Sequence, residues 1–162
     1  VAEILDINQM LANEYEPKRS WQWVLEIDGI DSFTAKTASR PNKKYEEITL
    51  DWMNQKIYHS AKGSWEPIEI SLYDPIAPSQ CLKVMEWMKL VHDDTTGRMG
   101  YASIYKKTFT LKICDGGGLV IEKWKAVGAW PTNIDLGKLD YADASALAVS
   151  FTCRCDRWIQ EF

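Results

Sequence analysis

Three places in the sequence carry residues that could do chemistry. Gly116-Gly117-Gly118 could cradle a phosphate, since successive backbone N–H groups can converge on an anion. A phosphate loop, however, needs a Lys and a Ser or Thr after the last glycine, and then a helix. Here Leu119, Val120 and Ile121 follow, a strand-forming run, so the triplet reads as a hairpin turn. His92 with Asp93 and Asp94 could join a base to two carboxylates. They stand at the end of the clearest helix pattern, where the helix dipole disfavours acids, and no partner across a cleft is in view. A solvated helix end is the expectation. No serine lies in a nucleophile-elbow context.

The cysteines are the third place. Cys81, Cys114, Cys153 and Cys155 show no C-x-x-C spacing, and His59 and His92 stand apart from them. Structural zinc is not indicated. Cys153 and Cys155 share one face of an expected strand, a geometry that disfavours a bridge between them. Free buried thiols are expected, with bridges between subunits as the alternative in an oxidising exterior. The chain therefore reads as a non-enzyme, with no metal and no cofactor.

Composition narrows the class further. The 162 residues suit one domain with one core, and 46% hydrophobic with 26% charged residues is ordinary for a globular chain. No apolar run reaches the roughly 18 residues of a membrane helix, so no membrane anchor is expected. No basic-then-apolar segment opens the chain, which makes synthesis in a cytoplasm the expectation. A net charge of −4 argues against a protein built to grip nucleic acid, though not against one that nucleic acid passes without sticking. Eight Trp and seven Tyr suit a sheet-rich core, with subunit interfaces as the second use.

The elements that would position these residues are mostly strands. Residues 1–20 read as an N-terminal arm and 21–162 as one β domain. Trp21 to Ile27 alternates, Asp28-Gly29 signals a hairpin, and Ile30 to Ser39 reads as its return strand. Tyr45 to Tyr58 holds another extended run (Ile48, Leu50, Trp52), with a long hairpin tip expected near 54–64. Trp65 to Tyr73 is a further strand. Ser79 caps a helix whose apolar face is expected to be Leu82, Met85, Met88 (or Trp87) and Val91. Ser103 to Cys114, Leu119 to Trp130 and Leu147 to Trp158 complete the pattern. The expected class is mainly β: an antiparallel barrel or two-sheet sandwich flanked by one helix, with a long protruding hairpin.

That hairpin carries Arg40, Lys43, Lys44, Lys56 and Lys62, interleaved with Glu46, Glu47 and Asp51. Interleaving makes it a poor nucleic-acid patch. It reads either as a solvated hairpin or as a subunit contact, where mixed charge fixes register. The stretch GAWPTNIDLGKLDY, residues 128–141, reads as a structural corner: Pro131 removes a ladder donor, Gly128 and Gly137 permit turns, and Trp130 and Tyr141 supply anchors.

Trp124 to Trp158 resembles the C-terminal region of tail-tube proteins from contractile-tailed bacteriophages. Trp130, Pro131, Thr132 and Asn133 sit on that family's corner, Leu139, Asp140 and Tyr141 on the next segment, and Phe151 to Trp158 on its closing strand. Trp21 to Ile27 is similar to its first strand, Trp52-Met53-Asn54-Gln55-Lys56-Ile57 to its hairpin motif, and Leu82 to Val91 to its single helix. The resemblance runs from about Ser20 onward.

It implies a structural subunit whose hexameric rings stack into a hollow tube inside a contractile sheath, a conduit for DNA ejected into the host. The implied partners are further copies of the chain and the sheath, tape-measure, baseplate and tail-terminator proteins, with DNA passing unbound. The implied location is the virion, assembled in the host bacterial cytoplasm. Inter-ring and subunit contacts are expected at Arg40, Lys43, Lys44, Lys56, Tyr58 and Lys62. Thr108/Thr110/Lys112 and Glu46/Thr49/Asp51 are the polar faces that could meet the lumen. Two alternatives stay open: the inner tube of an injection system, bacteriocin or type VI secretion apparatus, and a monomeric β-barrel that binds a ligand.

Overall fold

A computed structural model describes residues 16–162 of the protein. The expected N-terminal arm, residues 1–20, lies outside the described residues for all but its last stretch. Two-residue periodicity organises the rest. β8 (Lys107–Cys114) and β9 (Val120–Asp135) pair as an antiparallel hairpin. The Asp115 carboxylate accepts from the N–H groups of Gly117 and Leu119, so the glycine triplet is a turn. Phe109, Leu111 and Ile113 of β8 point inward and are buried. Strand β1 (Trp23–Glu26) adds to β8 with Leu25 opposite Leu111, and β11 (Arg157–Gln160) adds to the first part of β9 with Trp158 opposite Ala126.

Beyond Trp130 the same β9 pairs with β10 (Ala148–Arg154), followed by β5 (Ile68–Tyr73) and β2 (Ala35–Ala38). β9 therefore belongs to two antiparallel layers, β1-β8-β9-β11 and β9-β10-β5-β2. Their inner faces share one core: Leu25, Phe109, Leu111, Ala126 and Trp158 meet Ile68, Ile70, Leu72, Phe151 and Cys153. Each Ile, Leu or Phe buried there stabilises the fold by about 1.5–3 kcal/mol. β1 and β2 end the strand order without pairing to each other, so the fold is an open sandwich and not a closed barrel.

Helix α1 (Gln80–Val91) begins at Ser79, whose hydroxyl accepts from Leu82 N, while Asp74 accepts from Gln80 N and Cys81 N. Its core face is Gln80, Val84 and Trp87; of the expected residues only Trp87, the alternative to Met88, is on it. Leu82 is 58% exposed, and Met85, Met88 and Val91 are only half-buried. Trp87 fixes the phase. Its indole donates to Tyr105 O at 2.7 Å, in the short helix α2 (Ala102–Tyr105), and packs edge-on against Phe151 at 6.3 Å. Gln80 secures the first turn by donating to Asp31. Since Leu82, Val84, Met85, Trp87, Met88, Leu90 and Val91 nearly encircle the helix, apolar spacing alone did not decide which face turns inward.

Other expectations also change. Asp28-Gly29 closes only a single bridge, Ile27 to Ile30; a 3-10 turn (Ser32–Thr34) then carries β2 across to β5, so Ile30 to Ser39 is no return strand. The long hairpin is present, but the tip expected near 54–64 is strand: β3 (Lys43–Trp52) and β4 (Gln55–Trp65) pair along their length, and the turn is Met53-Asn54. The last strand is divided at Cys155-Asp156 into β10 and β11. A small antiparallel pair, β6 (His92–Asp93) and β7 (Arg98–Met99), closes the loop after α1.

Candidate assembly interface

The β3–β4 ribbon stands apart from the core: every residue of β3 is exposed, as is nearly all of β4. Register sorts its side chains onto two faces. Ile48 lies opposite His59, Leu50 opposite Ile57 and Trp52 opposite Gln55 on one. Glu47 lies opposite Ser60, Thr49 opposite Tyr58 and Asp51 opposite Lys56 on the other. The first is an apolar row with no covering element among the described residues, its Ile48, Leu50, Trp52 and Ile57 between 47% and 67% exposed. A lone two-stranded ribbon is marginal in water, which makes its exposed apolar row the candidate interaction surface of the chain. Met53 at the tip holds φ at 51° and is 93% exposed, an uncommon backbone conformation for a side chain that then reaches only solvent.

The base of the ribbon is tied to the sandwich. Glu122 of β9 points inward opposite Ile113 and is 2% exposed. It accepts from Arg40 at 2.5 Å, from Trp124 Nε1 at 2.5 Å and from Lys18. Burial would raise its carboxyl, but the hydrogen bonds from Lys18, Trp124 and Arg40 outweigh burial and hold it at about 2. The Lys43 ammonium lies over the rings of Tyr45 (4.8 Å) and Trp65 (5.2 Å), and Trp65 meets Trp124 edge-on at 6.5 Å. One buried carboxylate thus joins the chain before β1, the segment leading into the ribbon, and β9.

The contact residues named from sequence fall into two groups. Arg40, Lys43 and Lys44 gather at the base, with Arg40 already engaged by Glu122. Lys56 and Tyr58 lie on the polar face towards the tip, and Lys62 flanks the bulge between Tyr45 and Glu47. The apolar row was missed as a set because alternation put Ile48, Leu50 and Trp52 on one face but gave no sign of what lies against it. Glu122 was missed because an inward carboxylate on β9 has no local signal in the sequence.

The corner residues Trp130 to Asn133 lie inside continuous strand. Pairing to β8 ends at Ala129 and pairing to β10 begins at Trp130, with a bulge at Thr132. Gly128 holds φ at 68°, and a Cβ there would come within 2.1 Å of Asp156 Oδ2, so this position needs glycine. Pro131 is fully buried opposite Cys153, the Thr132 hydroxyl donates to Thr152 O at 3.1 Å, and Asn133 faces outward. Trp130 packs edge-on against Tyr105 at 6.1 Å. Tyr141 does not anchor the corner: it is fully exposed, on a segment carried outward by turns at Gly137, Asp140 and Asp143.

His92 Nδ1 lies 3.0 Å from Asp94 on exposed surface, and the hydrogen bond from Thr95 N, helped by Thr96, lowers Asp93. Among the described residues no group of three His, Cys, Asp or Glu is placed to hold a metal ion. The four cysteines are free; burial pushes the Cys153 thiol up and the Cys155 thiol to about 12.

Neither a model of a known protein family nor a curated protein matches the sequence. Solved structures do match the fold. A chain of an extracellular contractile injection system, described as PVC sheath/tube terminator in extended state, superposes with a TM-score of 0.76 at 15% identity, over 93% of this chain and 100% of that one. A chain of the PVC sheath–tube complex in extended state gives 0.72 at 16% identity, over 98% and 99%. Hcp1 from Flavobacterium johnsoniae gives 0.52 at 14% identity, over 87% and 95%. The protein has the fold found in these contractile-injection and Hcp structures, along almost its whole length.

Proposed function

We propose that the protein is a structural subunit of the inner tube, or of the tube's end, in a phage-tail-like contractile particle. Copies assemble into hexameric rings that stack, with the β3–β4 ribbon of each copy covered by another. The sheath, baseplate, tape-measure and terminator proteins are its partners in this reading, and its role is architectural, not enzymatic. The observation that carries it is the exposed apolar row, uncovered among the described residues, on a ribbon too thin to stand alone. Likeness in fold to injection-system chains favours an injection device. The phage branch, with DNA as cargo, is supported by the tail-tube resemblance and the acidic net charge.

Replacing Leu50 and Ile57 with Asp tests the ribbon. Both side chains are about half exposed, so the subunit should remain folded by circular dichroism while sedimentation shows that large assemblies are lost. Unchanged assembly in the double variant would contradict the reading.

A further inference from the structure

The two layers share one core, so their outer faces point in opposite directions, and in a tube only one of them can line the channel. The two faces differ in chemistry. On the β9-β10-β5-β2 layer, Thr37, Ser71, Ser150 and Asp135 form one row across all four strands, and Glu69, Thr152 and Asn133 form the next. The Ser71 and Ser150 hydroxyls hydrogen-bond at 3.0 Å. These side chains are short or acidic, and neither row contains a cation or a large apolar group. Arg154 lies at one end of the face, and Lys36, over the Tyr73 ring at 5.3 Å, lies at the other.

On the β1-β8-β9-β11 layer the rows are Glu26, Thr110, Lys125 and Ile159, and then Val24, Lys112 and Lys123. Lys112 pairs with Glu26 at 2.7 Å, and Lys123 pairs with Glu161. This face carries long cationic side chains and exposed apolar ones. Lys125 forms no ion pair among the described residues.

We propose that the hydroxyl-and-carboxylate face of the β9-β10-β5-β2 layer is the channel wall, and that the lysine-bearing face is turned to the tube's exterior. The assignment rests on the tube reading above. A wall over which cargo slides must offer neither an apolar patch nor a row of cations, because ammonium groups would hold phosphates or carboxylates as they pass. Ser, Thr and Asn give a wetted surface of low adhesion, and Glu69 and Asp135 add repulsion for polyanions. Of the two polar faces marked in the sequence, Thr110/Lys112 then lies outside and Thr49/Asp51 belongs to the ribbon.

The test is cysteine labelling of assembled protein. Cys81 and Cys114, which are half-buried, are first replaced by Ser, while Cys153 and Cys155 stay as buried, unreactive thiols. Ser150→Cys and Thr152→Cys place a thiol on the proposed wall, and Lys125→Cys places one outside. Intact tubes are treated with a small maleimide, or with a polyethylene-glycol maleimide too bulky to enter a channel. The expected result is bulky labelling of the Lys125→Cys protein and its loss in both wall variants, with all three labelled after dissociation. Bulky labelling of both wall variants in intact tubes, or protection of Lys125→Cys, would overturn the assignment. If the serine-substituted parent forms no rings or tubes, the tube reading itself fails, a different result from mislabelled tubes.

Discussion

At the scale of single residues, Glu122 is the buried charge on which the most segments converge. Its exposed partners Lys18 and Arg40 can return to water, but the carboxylate cannot, so its ionised form depends on them. A carboxyl held at about 2 when folded and near 4.5 when unfolded contributes stability that is fully present above about pH 4.5. That contribution, on the order of 3 kcal/mol, is lost as pH falls through about 2. The Glu122→Gln variant should therefore be less stable at neutral pH, and its urea midpoint should change less between about pH 4.5 and 2 than that of the parent. Parallel pH profiles for the two proteins would show that the carboxylate has no such role. Its charged donors, Lys18 and Arg40, lie 104 and 82 residues away in the chain, which is why no local pattern disclosed the site.

At the scale of elements, alternation was a good guide wherever one strand face is buried. Phe109, Leu111 and Ile113 in β8, and Val149, Phe151 and Cys153 in β10, point inward as their spacing required. Alternation says which residues share a face but not what covers it. Ile48, Leu50 and Trp52 therefore read only as an extended run in sequence, and they prove to be about half exposed or more. The Trp-Pro-Thr-Asn stretch was legible as a change of direction, yet a bulge and Gly128 turn it within one long strand. Helix α1 was legible as a helix but not in its phase, since apolar residues surround it. Val84→Ala should cost about 1–3 kcal/mol in denaturant unfolding, whereas Leu82→Ala should stay within about 0.5 kcal/mol. Equal losses would mean that the helix packs by another face.

At the scale of the whole molecule, one sandwich core holds the chain together and its edges are open among the described residues. One core unites two four-stranded layers, while the ribbon and the segment bearing Leu139 and Tyr141 offer apolar side chains outward, and β1 and β2 end the strand order among the described residues. Unprotected strand edges are a hazard for a monomer and a means of closure for a ring. The fold likeness to injection-system chains spans nearly the full length although identity is 15–16%, so the architecture is kept with few identical residues. Electron microscopy of the purified protein at high concentration tests the central claim most directly. Rings of six subunits, or tubes built from them, are the expected result, and a dispersed monomer with no rings at any concentration would contradict it.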